Sequence, residues 1–259
     1  APIIATRGCV NKCAFCNDTM IWPKFRHRSA RSVCAEILYE AKRRNITALV
    51  FQDLAINGSL KFLKELCALL KEEVIEKYKF PVKWVANAFA RKDMNAGMFQ
   101  SMHDAGCHTL MFGIESGSDN VLKLMKKRHT AKKAAETLRA CKQSGINVWI
   151  NVIVGFPGEA EDDFEETLSF IRTNKDSIDR IQNLNTCNAV DNCDLSIHSE
   201  KYGIVLEDDH MAYLHWHSKD GSNTFDVRKQ RLLALAKEAE KLCIPIQSMN
   251  IKGEENKLL

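Results

Sequence analysis

The chain has 259 residues, 45% hydrophobic and 27% charged, with 37 basic and 33 acidic side chains for a net charge of +4. This is the composition of an ordinary globular chain with room for a large core, so disulfide staples are not needed for folding. The charge balance gives no strong nucleic-acid signal, and there is neither a signal peptide nor a run of about 18 apolar residues that could span a membrane.

Six apolar strand-like runs alternate with amphipathic helical stretches. The first strand is Pro2–Thr6, and a polar, cysteine-bearing loop follows from Arg7 to about Arg31. Ser32 can cap a helix carrying Val33, Ile37 and Ala41 on its apolar side. The second strand is Ala48–Phe51, and a helix from Ser59 shows Leu60, Leu63, Cys67, Leu70 and Val74 on one face. The third strand, Lys83–Ala88, precedes a helix over Ala96–Ala105 that Gly106 ends. The fourth, Thr109–Ile114, leads through the turn Glu115–Ser118 to helices over Asp119–Met125 and Thr130–Ser144. The fifth strand is Val148–Val154, followed by the loop Gly155–Glu159 and a helix lined by Phe164, Leu168 and Ile171. The sixth is Arg180–Leu184. From Asn185 to Thr224 the pattern is irregular, and a last helix spans about Asp226–Leu242.

Regular strand–helix alternation predicts right-handed crossovers and a parallel sheet. The expected fold is α/β, a six-stranded parallel partial (β/α)6 barrel over residues 1–185, with an irregular and then helical C-terminal extension over 186–259. In such sheets the chemistry lies on the loops after the carboxyl ends of the strands. The chain opens on Ala1 almost directly into a buried strand, so a further domain upstream is expected.

The sharpest motif is Arg7-Gly8-Cys9-Val10-Asn11-Lys12-Cys13-Ala14-Phe15-Cys16, in the loop after the first strand. Three thiols spaced this closely can hold three irons of a 4Fe–4S cube and leave the fourth open. A zinc site is the competing reading, but it needs a fourth Cys or His, and His27 and Cys34 lack regular spacing. The ten cysteines are otherwise scattered, which argues against an extracellular disulfide framework and for a reducing cytoplasm.

The CxxxCxxC spacing, with an aromatic before the last cysteine, resembles the radical S-adenosylmethionine (SAM) superfamily. Phe112-Gly113-Ile114-Glu115-Ser116-Gly117-Ser118 and Val154-Gly155-Phe156-Pro157-Gly158-Glu159 resemble one subset of it, which includes cobalamin-binding methyltransferases and cyclases. The resemblance covers about residues 1–185. It implies a 4Fe–4S cluster on Cys9, Cys13 and Cys16 and reductive cleavage of SAM to a 5′-deoxyadenosyl radical that abstracts hydrogen. It also implies a small-molecule substrate, a reducing protein such as flavodoxin or ferredoxin, and cobalamin in an upstream domain.

By resemblance Phe15 packs near the adenine and Glu115 contacts the SAM ribose or amino group. A hydrophobic plug and a helix-start carboxylate are the plainer readings of the two. Asp53 and Asn57 stand where many members carry a Gly-Gly-Glu motif for the methionyl ammonium. Here the sequence is Gln52-Asp53-Leu54, and a turn role for Asp53 is equally open. Asn151 and the Gly155–Phe156 backbone are candidates for reading the adenine edge, with a tight turn as the alternative.

Cys187 and Cys193 are too few for an auxiliary cluster, although Cys187 falls at the expected barrel mouth. His210, His215 and His217 match no ligand spacing. Three functional classes stay open: a cobalamin-linked radical SAM enzyme, a methylthiotransferase-like one without cobalamin, and a non-catalytic iron–sulfur or zinc protein.

Overall fold

A computed structural model describes residues 1–208 and 211–250, without the side chains of Thr19, Ala212 and Asn250. Two short strands open the chain, β1 (Pro2–Ile3) and β2 (Thr6–Arg7). After α1 (Asp18–Ile21), β3 (Arg26–His27) pairs antiparallel with β2. The expected first strand is therefore divided in two. The cause is Asp53, whose buried carboxylate accepts from the backbone N–H groups of Ala5 and Thr6 and draws that stretch away from the ladder.

Helix α2 (Ala30–Arg44) begins at Ser29, whose hydroxyl accepts from the Ser32 N–H at 3.2 Å. The cap is thus Ser29 and not the expected Ser32, and Val33, Ile37 and Ala41 face the core. Strand β4 (Ala48–Phe51) leads to α3 (Leu60–Leu69), capped by Ser59 and prolonged by a π-helical stretch over Leu70–Lys77. Then follow β5 (Lys83–Ala88), α4 (Ala96–Asp104), β6 (Cys107–Glu115), α5 (Asp119–Leu124) and α6 (Ala131–Gln143). Strand β7 (Asn147–Val154), α7 (Glu161–Thr173) and β8 (Arg180–Thr186) complete the expected alternation.

The C-terminal stretch is more regular than its sequence suggests. It holds α8 (Asp194–Ile197), β9 (Ile204–Val205), α9 (Ala212–His215), β10 (His217–Ser218) and α10 (Phe225–Lys241). It ends in β11 (Ile246–Asn250), a strand absent from the sequence-based expectation. Strand β11 pairs parallel with β8, with Ser248 opposite Asn183. Seven strands thus form one parallel sheet in the order β1-β4-β5-β6-β7-β8-β11, and it is not closed.

The described residues form two compact units, one of residues 1–11, 18–113 and 132–149, the other of 12–17, 114–131 and those from 150 onward. In the first, Phe51 meets Trp84 edge-on at 5.4 Å, and the Trp84 indole donates to the Ala105 carbonyl at 2.8 Å. Cys67, Cys107 and Cys141 are buried there, and burial pushes the Cys67 thiol up to about 12. They act as small apolar groups. Replacing Cys67 or Cys141 by Ala should lower stability by about 1–2 kcal/mol, read by thermal or urea unfolding, with the iron content unaltered.

The core of the second unit gathers Ala14, Val121, Met125, Phe156, Cys187, Cys193, Leu195 and Trp216. Arg228 is fully buried against it, its guanidinium 3.7 Å from the Trp216 ring centroid. It donates to the carbonyls of Leu214 (2.5 Å) and Trp216 (2.8 Å) and to Asn223 Oδ1 (3.2 Å).

Candidate active site

The cysteine loop is fixed at its two ends by backbone. Gly8 has φ +79°, and a Cβ there would lie 2.6 Å from the Lys24 carbonyl oxygen, so only glycine fits this crossing. Ala14, fully buried, donates its N–H to the Met125 carbonyl at 3.0 Å and accepts from the Leu195 N–H at 2.9 Å. Burying Ala14 between Cys13 and Cys16 leaves its neighbour Phe15 half-buried at the edge of the same apolar cluster.

Of the ten cysteines, six are buried, Cys243 is exposed, and Cys9, Cys13 and Cys16 alone lie between those states. Accessible thiols are what metal loading requires, and buried ones are inert. The Asn11 N–H also donates to Cys9 Sγ, at 3.4 Å. In donor chemistry and access the three fit an iron–sulfur cluster. Among the described residues no three His, Cys, Asp or Glu side chains are grouped around a common metal position.

A cavity of about 270 Å3 lies at the carboxyl-terminal parts of β6, β7 and β8. That is near the lower end of the ~300–1,000 Å3 of small-molecule sites. Glu115, Asn151, Asn183, Asn185 and Asn188 supply its polar wall, and Phe15, Ile153 and Val190 its apolar one. Three of the sequence candidates, Phe15, Glu115 and Asn151, therefore share one cavity.

Glu115 is held in a left-handed conformation, φ +71°, which costs a non-glycine residue about 1–3 kcal/mol. The surroundings enforce it. A Cβ on Gly117 would lie 2.4 Å from Phe170 Cβ, so α7 packs directly on the turn. The Gly117 N–H donates to Thr167 Oγ1 at 3.1 Å, and Ser118 Oγ donates to the Asp163 carboxylate at 2.6 Å. Lys127 Nζ donates to Glu115 Oε1 at 3.0 Å, with both side chains nearly buried. Sequence reasoning missed Lys127, whose charge offsets the carboxylate's desolvation. It also missed Asn183, whose amide donates to Asn151 Oδ1 at 3.0 Å. The available signal was the recurrence of asparagine at 183, 185 and 188, a residue depleted in strands.

Gly155 and Phe156 do not line this cavity. Phe156 is fully buried in the apolar cluster. Gly155 has φ +73°, and a Cβ there would meet Arg228 Cγ at 2.3 Å. Its N–H donates to Glu159 Oε2 at 2.6 Å, and its carbonyl accepts from Asn223 at 3.1 Å. Arg231 also donates to Glu159, at 2.9 Å. Burial pushes the Glu159 carboxyl up to about 7, against the pull of Arg231. The loop is a tight turn held by hydrogen bonds from Asn223 and Arg231.

Asp53 is likewise engaged with backbone, and burial raises its pKa against the Thr6 and Ala5 hydrogen bonds. Asn57 is buried, donating to the Phe89 carbonyl at 2.8 Å and accepting from the Phe89 N–H at 3.2 Å. Cys187 and Cys193 are fully buried, so Cys187 presents no thiol at a barrel mouth. After reconstitution the chain should carry about four irons by colorimetric assay. A value of about eight would show that these thiols, or others, hold a second cluster. His215 packs on Phe225, His217 pairs with Glu207 at 3.0 Å, and His210 lies outside the described residues.

A parallel α/β sheet whose strand ends carry an acidic, amide-rich cavity beside a three-cysteine loop defines a cofactor-using enzyme scaffold. Residues 3–171 match the radical SAM superfamily, and the chain belongs to that superfamily. Membership implies a 4Fe–4S cluster and SAM as cofactors.

An uncharacterized methyltransferase of Pyrococcus horikoshii is 26% identical over 171 residues, 66% of this chain and 36% of that protein. A tRNA-2-methylthio-N(6)-dimethylallyladenosine synthase of Bifidobacterium adolescentis is 31% identical over 63% of this chain and 35% of its own length. The chain spans little more than a third of the length of these curated relatives. Among solved structures, the radical SAM methyltransferase TsrM of Kitasatospora setae superposes with a TM-score of 0.72 at 12% identity, covering 99% of this chain and 54% of that one. The cobalamin-dependent enzyme OxsB gives a TM-score of 0.57 at 22% identity over 78% of this chain and 30% of that one. At these identities the likeness is one of fold. No helix among the described residues is long and apolar enough to cross a membrane.

Proposed function

We propose that the chain is the catalytic part of a radical SAM enzyme acting on a small-molecule substrate. The observation that carries this is that the Cys9, Cys13 and Cys16 thiols are all partly accessible on one loop, within the family's cysteine spacing. These three would hold the 4Fe–4S cluster. When bound, it supplies one electron to the SAM sulfonium, whose cleavage gives methionine and a 5′-deoxyadenosyl radical able to abstract hydrogen.

The chain's own residues bind and orient. Glu115 offers a carboxylate to the positive methionyl or the ribose end of SAM. Asn151 and Asn183, locked to each other, offer fixed amide dipoles, and Phe15 supplies an apolar face that excludes water. Lys127 holds the Glu115 carboxylate in position through its hydrogen bond to Oε1. Glu115→Gln should weaken SAM binding to the cluster-loaded protein by at least about tenfold, the loss of one charged hydrogen bond. Equilibrium dialysis reads this, and an unchanged affinity removes Glu115 from the site.

Two finer readings have support. The likeness to TsrM and OxsB favours cobalamin-linked methyl transfer or cyclisation, with cobalamin on a domain outside residues 1–259. The tRNA-modifying relatives favour a methylthiotransferase-like activity. A cytoplasmic location and a flavodoxin or ferredoxin reductant accompany both, because reduced thiols and a low-potential cluster need a reducing compartment. The test is anaerobic reconstitution with iron and sulfide, then SAM and dithionite. Formation of 5′-deoxyadenosine supports the proposal. A protein that binds four irons and leaves SAM intact is a non-catalytic iron–sulfur protein.

A further inference from the structure

The two-stranded sheet beside the cysteine loop has an unfavourable pairing. Arg7 on β2 is directly opposite Arg26 on β3, and like charges in that relation destabilise a ladder. Both guanidinium groups lie over the Trp22 ring at 5.1 Å. Among the described residues, Arg7, Lys24 and Arg26 form no salt bridge, and all three are exposed. Arg28, by contrast, is turned to the Ile4 carbonyl and to Glu36. From residue 18 to 31 the chain carries four basic side chains and one acid. Directly before Trp22, Met20 and Ile21 are 58% and 62% exposed, among the most exposed large apolar side chains described. An apolar centre framed by unneutralised cations is the anatomy of a protein-docking patch for an acidic partner.

The patch is joined to the cluster loop by backbone. Gly8, the neighbour of Cys9, crosses so close that a Cβ would lie 2.6 Å from the Lys24 carbonyl oxygen and 3.0 Å from that of Trp22. A partner seated on Trp22–Lys24 is therefore one backbone layer from Cys9. We propose that Met20, Ile21, Trp22, Lys24 and Arg26, with Arg7, form the docking surface for an acidic one-electron carrier protein that reduces the cluster. This rests on the cluster reading above. The carrier loses one electron, the cluster on the Cys9 loop gains it, and no proton or group moves between them. An RNA partner is less favoured. The Trp22 ring already carries two guanidinium groups, so a base would have to displace one to stack, and Met20 and Ile21 offer no hydrogen bond to it.

The test uses the cluster-loaded chain and an acidic flavodoxin as probe. Flavodoxin binding is read by fluorescence anisotropy at low and high salt. Production of 5′-deoxyadenosine is measured with reduced flavodoxin and, in parallel, with dithionite, which needs no docking. Lys24→Glu with Arg26→Glu should weaken flavodoxin binding and the flavodoxin-driven rate by at least about tenfold, with the dithionite rate held within about twofold. The melting temperature should not fall, because a carboxylate then faces Arg7. Met20→Ser with Ile21→Ser should weaken binding without changing its salt dependence. Flavodoxin binding equal to the parent's in both variants overturns the proposal. So does patch-dependent binding of an RNA oligonucleotide without binding of flavodoxin. A parent protein silent with dithionite sinks the radical SAM reading instead, and the anisotropy still decides the docking.

Discussion

Cys13→Ala should abolish 5′-deoxyadenosine formation and leave the fold standing. Two thiolates cannot retain a three-iron attachment, so the electron has no route to the sulfonium. Cys9→Ala and Cys16→Ala should do the same. The fold survives because all three side chains are partly exposed on a loop, and none belongs to the packed cores. The loop is held instead by the Gly8 crossing and by both backbone hydrogen bonds of buried Ala14. Truncating a side chain that no core packs against opens no cavity. Anaerobic turnover with dithionite, beside a thermal melt, reads both arms. A Cys13→Ala protein that makes 5′-deoxyadenosine at the parent rate would overturn the family chemistry for this chain. A melt lowered as far as that of Cys67→Ala would show that the loop is part of the core.

Arg228→Ala should have the largest effect on stability, a loss of about 2–4 kcal/mol. The buried guanidinium serves two carbonyls and an amide oxygen, and it stacks on Trp216. Removing it strands three buried acceptors at roughly 1–3 kcal/mol each and leaves a void beside Trp216, partly offset by the relief of burying a charge. Burial lowers the Arg228 pKa only to about 10, so the group is charged at neutral pH. Arg228→Met fills the space without donors and should recover less than half of the loss. Urea unfolding reads this. Near-parent stability of the alanine variant would mean that water replaces the guanidinium.

The six-fold alternation of strands and helices was legible because hydrophobic periodicity is local. Helices ended where Gly106 and Gly145 stood, and α3 begins directly after Ser59, where a helix was expected. Misreadings occurred where a distant partner decided. Asp53 divides the first strand across a separation of 48 residues, and nothing in Pro2–Arg7 announces it. Strand β11, Ile-Gln-Ser-Met-Asn, has weak strand character and exists through its parallel pairing with β8.

The cysteine motif is a local device. Three thiols within eight residues can hold three irons before any fold is known, and it is their resemblance to the superfamily's spacing that implies the 4Fe–4S cluster and SAM. The cavity is not local. Phe15 and Glu115 stand at positions the family resemblance marks and Asn151 on an expected strand, but Lys127 and Asn183 enter by tertiary packing, and their chemistry as a lysine and a strand asparagine is commonplace. Gly155 shows the same limit from the other side. Its glycine was readable as a close backbone approach or a tight turn, yet whether the space beside it admits a ligand or Arg228 depends on a helix more than 70 residues away. Spacing along the chain sets which donors can act together, while burial and long-range hydrogen bonds set which of them face the same cavity.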